Sequence, residues 1–406
     1  MACSPDGRRS APVPPEPDTR VGPAVLHISQ KDLSERHAET VHIVELARAL
    51  HEAGVPVRAV VPGLGRYPQE TPFEITYLPA LKHPRLLRLL SYEASLLAHL
   101  LVRLRSVRRA GVYVRKGLLL LSPLLLARLV GGPAVLEVNG TDEDAARQHG
   151  LPAAATALLR LLSRGSYALA RHIVVVTDTL RDYLAGMGVP PGKIHVVPNG
   201  ANTRLFRPLD AEECRRSLGL EPGGRYVCFV GQMAKWQGLD VLLAAAAALA
   251  GDFPDLRLLL VGGGEERAGL EAQAGRLGLG DRVVFRGPVG FEEVPRYLGA
   301  ATVCVAPLVV ETHSPLKLFE YLACARPVVA SDVAGVREVV QGYGCGWLAE
   351  PGSARDLAAR LAEALQAAPE EREAMGRRGR EAVVQRHSWD HAARLVMPLL
   401  GGHADD

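Results

Sequence analysis

Short β-rich runs alternate with amphipathic stretches along almost the whole chain, and this alternation restricts the fold to parallel sheets covered by helices on both faces. Candidate strands fall at 24–29, 57–61, 73–78, 111–114, 134–138, 172–176 and 194–197, with helical patterns between them at 39–53 and 155–170. The alternation then restarts, with strands at 226–230, 256–261, 282–285, 302–305 and 327–330 and helices near 238–250, 264–277, 291–299 and 315–325. A chain of 406 residues exceeds the size at which one hydrophobic core usually stops growing. Two α/β, doubly wound, Rossmann-like domains are therefore expected, at 24–200 and 201–385. The boundary follows Val196-Val197-Pro198-Asn199-Gly200, where a buried-strand pattern gives way to a turn and an irregular segment through Phe206 and Pro208. Residues 386–406 read as a C-terminal helix that returns to the first domain. Residues 1–23, with six prolines among small and charged residues, read as a disordered tail. In doubly wound sheets ligands bind beyond the carboxyl ends of the strands, so two such domains facing each other enclose a cleft.

Composition narrows the partners. A formal charge of +3 points to neither a nucleic-acid binder nor an acidic, solvating chain. The six cysteines, Cys3, Cys214, Cys228, Cys304, Cys324 and Cys345, form no CxxC pair and read as reduced packing residues of a cytoplasmic protein, with no metal site. The most apolar stretch, Leu118 to Val130, is too short to span a bilayer and is interrupted by Ser122, Pro123 and Arg128. Residues 82–109 carry seven Lys or Arg against one acid, Glu93, interleaved with leucines. Such a segment either lies on an anionic membrane or presents a solvated face of a helix packed on the core.

Three strand ends of the second half carry the chemistry. The segment from Glu311 to Glu320 follows a strand ending near Pro307 and opens a helix, with Ser314 as N-cap and Pro315 at the first helical position. Free amides of Leu316 and Lys317 and the positive end of the helix dipole suit a diphosphate. Glu320, nearly two turns on, suits the two hydroxyls of an attached ribose. In the run from Phe229 to Gly238, Gly231 allows close approach of a ligand and Lys235 supplies a mobile cation. Gly263, in Leu260-Val-Gly-Gly-Gly264, repeats the arrangement one strand over.

The run KIHVVPNGANTRLFRP (193–208), GQMAKWQGLD (231–240), LLLVGGGEE (258–266) and SPLKLFEYLACARPVVAS (314–331), in this order, resemble the retaining group 1 (family 4) glycosyltransferases of GT-B fold. The likeness runs over roughly 24–390 and is strongest in the second half. It implies transfer of a sugar from a nucleotide-sugar donor with retention of configuration and without a metal ion or other cofactor. The donor site would comprise Gly231, Lys235, Gly263, Ser314, Leu316, Lys317 and Glu320. Acceptors in glycan, glycolipid or polysaccharide synthesis follow from the same resemblance, and so does a cytoplasmic protein on the inner face of a membrane.

The chain departs from the family at several points. Gln232 and Gln237 stand where an arginine and a lysine are common, and Lys235 is the candidate substitute. The family's two glutamates lie eight positions apart, whereas Thr312 stands eight before Glu320 and Glu311 one step further. Glu311 is therefore the candidate for the sugar-contacting carboxylate, grouped with Asn139 and Lys235 as catalytic. On the acceptor side a polar loop, His27 to Glu39, replaces the usual glycine-rich one and offers Lys31 and Glu39. A cleft histidine common in the family gives way to Leu136-Glu-Val-Asn-Gly140, where Glu137 is either an acceptor contact or a structural ion-pair partner. A sugar-nucleotide epimerase of the same fold and a non-catalytic nucleotide-sugar-binding partner of another transferase remain alternatives.

Overall fold

A computed structural model describes residues 24–34, 37–148, 152–309 and 316–401. The tail 1–23, Glu311, Thr312 and Ser314 lie outside the described residues.

The first sheet comprises β1 (Val25–Ile28), β2 (Val57–Pro62), β3 (Glu74–Leu78), β4 (Val112–Arg115), β5 (Ala134–Val138), β6 (His172–Val175) and β7 (Ile194–Val196), in the order β3-β2-β1-β4-β5-β6-β7. The second comprises β8 (Arg225–Val230), β9 (Leu256–Val261), β10 (Val283–Arg286), β11 (Val303–Ala306), β12 (Val328–Ser331) and β13 (Gly346–Ala349), in the order β10-β9-β8-β11-β12-β13. Every pairing between these strands is parallel. The central strands β1, β4, β5 and β11 are buried along their whole length, which is why they read as apolar runs without alternation, broken only by His27, Arg115 and Glu137. Strand order reverses between β1 and β4 and again between β8 and β11. Each reversal opens a crevice at the carboxyl ends, the ligand position in this architecture.

Helices cover both faces of each sheet. In the first domain Arg85–Val102, Leu104–Ala110, Ser122–Val130 and Ala153–Leu169 share one hydrophobic core with one face of the sheet. Ala38–Glu52 and the C-terminal helix Trp389–Val396 share the core on the other face. The chain thus crosses between domains twice, and the crossings are tied together: Ala201 N donates to His387 O at 2.8 Å and Trp389 N to Ala201 O at 3.3 Å. Ser388 caps the returning helix through His391 N, and Trp389, Ala392, Ala393 and Val396 are buried against the first domain.

Cys214, Cys228, Cys304, Cys324 and Cys345 are buried free thiols, and burial pushes those of Cys324 and Cys345 up to about 12. Among the described residues, no helix is long and apolar enough to cross a membrane.

Candidate active site

At the second switch point three segments converge. β8 leads into Gly231, whose φ of 152° suits glycine, and a methyl there would stand 3.1 Å from Lys317 Nζ. The next strand end presses against it: a Cβ on Gly262, φ 131°, would lie 2.0 Å from Gly231 O. Gly263 holds the neighbouring loop by accepting from Met233 N at 2.8 Å, so its contribution is the backbone path.

Lys317 lies in the first turn of the helix Leu316–Ala323, where amides have no intrahelical acceptor. Its ammonium turns toward Gly231, donates to Gln237 Oε1 at 2.5 Å and sits 4.4 Å above the Phe229 ring and 5.7 Å from that of Trp236. Burial pushes its pKa down to about 7. Glu320, one turn along, is pushed up to about 7 by burial, with Lys317 pulling it down and Glu45 of the first domain pushing it further up. A half-buried cation and a half-buried carboxyl thus stand on one helix turn beside the Gly231 backbone. Lys235 is exposed on the short turn Lys235–Gln237. Leu316 is buried in the core of the first domain, so its side chain bridges the two halves and only its amide remains for a ligand.

The first switch point is built differently. Lys31 Nζ pairs with Glu39 Oε2 at 2.5 Å, joining the loop after β1 to the start of the helix Ala38–Glu52, with both side chains well exposed. Glu137 is fully buried, so no substrate group reaches it here; it is an ion-pair partner. Arg115 Nη1 donates to Glu137 Oε1 at 2.6 Å, and Asn139 Nδ2 donates to the same oxygen. Arg115 Nη1 also lies 3.1 Å from His42 Nδ1, and His42 Nε2 lies 3.5 Å from Glu137. An acceptor at Nδ1 requires the neutral ring with its proton on Nε2, facing the carboxylate. Glu137 thereby holds the amide of Asn139, leaving the Asn139 carbonyl and second N–H as its free polar groups. Sequence reasoning missed His42 and Arg115, and it read His27 as the start of the polar loop, whereas His27 is buried within β1. Only the histidine in the apolar run Val25-Leu-His-Ile28 was a signal for them.

Burial alone would raise the Glu137 pKa, but His42, Arg115 and Asn139 outweigh it and hold it at about 2. Burial lowers His27 to about 4 and His42 to about 3. The unfolded chain protonates both imidazoles near pH 6.5 while the fold keeps them neutral, so acid favours unfolding below about pH 6.5. Glu137 acts in the same direction: its stabilisation is present above the ordinary carboxylate range and fades as pH falls toward 2. Urea midpoints should drop between pH 7 and pH 5, and His42→Gln should flatten that slope. An unchanged slope would remove His42 from the titrating set.

Two facing Rossmann-like domains with a crevice at each switch point define the GT-B architecture. A family model described as glycosyltransferase family 4 matches residues 40–205, and one described as glycosyl transferases group 1 matches 210–382. With both domains matched in order, the chain belongs to the group 1, family 4 glycosyltransferases. A D-inositol 3-phosphate glycosyltransferase of Segniliparus rotundus is 37% identical over 207 residues, 50% of this chain and 45% of that protein. An alpha-maltose-1-phosphate synthase of Mycolicibacterium smegmatis is 33% identical over 236 residues, 55% of this chain and 59% of that protein. The chain spans about half the length of the curated relatives it matches. Among solved structures, HepE of Anabaena in complex with UDP and glucose shares the fold at a TM-score of 0.76 and 17% identity, covering 93% of this chain and 99% of that one.

Proposed function

We propose that this protein transfers a glycosyl group from a nucleoside-diphosphate sugar to an acceptor hydroxyl with retention of anomeric configuration. The observation that carries the reading is the half-buried Lys317 ammonium turned toward Gly231, with Glu320 one turn away. As the bond between the anomeric carbon and the diphosphate oxygen breaks, charge develops on that oxygen, where Lys317 and the first amides of its helix stabilise it. The acceptor oxygen bonds to the same face of the anomeric carbon and its proton passes to the departing diphosphate, so no protein nucleophile is needed. Glu320 accepts from the ribose hydroxyls, Glu311 meets the donor sugar, and Asn139 meets the acceptor. Lys235 remains available to the phosphates from the exposed side of its turn.

The positive charge at the diphosphate comes from side chain and amides, so binding needs no divalent metal. The acceptor belongs to glycan, glycolipid or cell-envelope polysaccharide synthesis at the cytoplasmic face of a membrane, met through residues 82–109. The UDP held by HepE makes UDP-sugars the first donors to try. In a thermal-shift screen of UDP-, GDP- and ADP-sugars, one base should stabilise the fold by about 2.7 kcal/mol at a hundred times its dissociation constant. The shift should persist in EDTA. No shift with any base would overturn the donor site, and a shift lost in EDTA would overturn metal-free binding.

A further inference from the structure

The second crevice carries a large aromatic side chain that packing leaves open to solvent. Trp236, in the turn Lys235–Gln237, is 42% exposed, whereas Trp389 is buried and Trp347 half-buried. Single exposed apolar residues are ordinary, so exposure alone decides nothing. Position does. Val309 N donates to Trp236 O at 3.1 Å, which ties the turn to the segment after β11. Gly238, φ 66°, closes the turn, and a Cβ there would lie 2.0 Å from Pro307 O, so the two segments are in backbone contact. On the inner side of the turn the buried Gln237 accepts from Lys317 Nζ. The turn is thus clamped between two neighbouring strand ends, β8 and β11, and the indole stands on a fixed base.

The Lys317 ammonium locates the indole with respect to a ligand. It lies 4.4 Å from the centre of the Phe229 ring and 5.7 Å from that of Trp236. Phe229 is fully buried and serves the ammonium from within the protein, while Trp236 continues the aromatic surface outward from it. A diphosphate held at this ammonium carries one organic group on each phosphate, and both lie within a few ångströms of it. Glu320 is assigned the ribose, which leaves the glycosyl group for the indole.

We infer that Trp236 is a specificity-determining residue whose exposed indole face stacks on the donor glycosyl group and selects a pyranose ring that presents a face of C–H bonds. Such C–H bonds carry a small positive charge and meet the negative face of the indole, while the hydroxyls at the ring edge stay free for polar partners. A glycosyl group with polar substituents on both faces would have to set one of them against an apolar wall without a hydrogen bond, which costs affinity. This assignment rests on the glycosyl-transfer reading, because it needs a sugar on the diphosphate.

The test compares UDP-glucose, GDP-mannose and ADP-glucose with UDP, GDP and ADP, by calorimetric titration and by the tryptophan emission of the full chain. For the base that binds, Trp236→Ala should hold the nucleotide sugar about fivefold to tenfold more weakly than wild type does, and the nucleoside diphosphate within about twofold, the difference expected of one aromatic stacking contact. Trp236→Phe keeps an aromatic face and should recover most of that affinity. In wild type the nucleotide sugar should shift the tryptophan emission where the nucleoside diphosphate does not, and Trp236→Phe should lose the shift while still binding. Both variants should melt with wild type, since the substituted ring is exposed. Equal weakening of nucleotide sugar and nucleoside diphosphate would mean that the ring steadies Lys317 or stacks on the base, and would overturn the assignment. So would an unchanged affinity of Trp236→Ala for the nucleotide sugar. Failure of wild type to bind any of these compounds would overturn the donor site, and the assignment with it.

Discussion

Replacing Lys317 with methionine should cost about 2–5 kcal/mol of nucleoside-diphosphate affinity, the usual range for losing one partner of a buried, hydrogen-bonded charge pair. It should do so without lowering the stability of the free protein. In the absence of ligand the ammonium is held in a site that drives its pKa down to about 7, so keeping it there already costs folding free energy. Methionine fills a similar path over the Phe229 and Trp236 rings and removes that cost. The opposing loss is the donor to Gln237 Oε1, about 1–3 kcal/mol for an unpaired buried acceptor. The two effects offset. The pH dependence follows from the same group. Its lowered pKa means the free protein loses this charge as pH rises through 7, so wild-type affinity should fall from about pH 7 to about pH 9, whereas the residual affinity of K317M should not follow that titration. Calorimetric titrations of both proteins decide the matter. Equal affinities would remove the ammonium from the diphosphate site.

Glu320→Ala should weaken nucleotide binding by about 1.5–3 kcal/mol, the usual worth of hydrogen bonds to a charged group. Burial raises the carboxyl to about 7, and hydroxyls donating to its ionised form would draw it back down, so the ligand supplies hydrogen bonds that the protein alone does not. Glu320→Gln keeps the shape and one acceptor and should fall between the two. A folded Glu320→Ala protein with unchanged affinity would place the ribose elsewhere.

The chain announces its sheets more clearly than its site. Parallel strands buried on both faces are mostly apolar, so β1, β4, β5, β8, β9, β11 and β12 stand out as β-rich runs. β13 did not, because Gly346-Trp-Leu-Ala349 is short and half-buried and has no flanking contrast. The helices 122–130, 334–343 and 354–366 were likewise not marked. The glycine-bearing strand ends, read at Gly231 and Gly263, pointed to the second crevice, where the close backbone approach is between Gly231 and Gly262. The cation was harder. Lys317 was read for its backbone amide and Lys235 for its charge, yet the ammonium facing Gly231 is that of Lys317. Helix placement decides this: it lays Lys317 over Phe229 and toward Gln237, a relation between three segments far apart in sequence. The cluster of His27, His42, Arg115 and Glu137 was hidden for the same reason. In a doubly buried strand periodicity does not distinguish a carboxylate facing a cleft from one sealed beneath it, and Glu137 is sealed.

The most direct measurement of the central claim is turnover: UDP-, GDP- and ADP-sugars are incubated with the full chain, with and without acceptor-bearing anionic vesicles, while released nucleoside diphosphate and the anomeric configuration of the product are followed together. The account predicts that one donor releases its nucleoside diphosphate only when acceptor is present, in step with a glycoside of retained configuration, and that K317M abolishes both. Conversion of a donor without acceptor would indicate an epimerase, and tight nucleotide binding with no turnover of any donor would indicate a non-catalytic partner; either result would contradict glycosyl transfer.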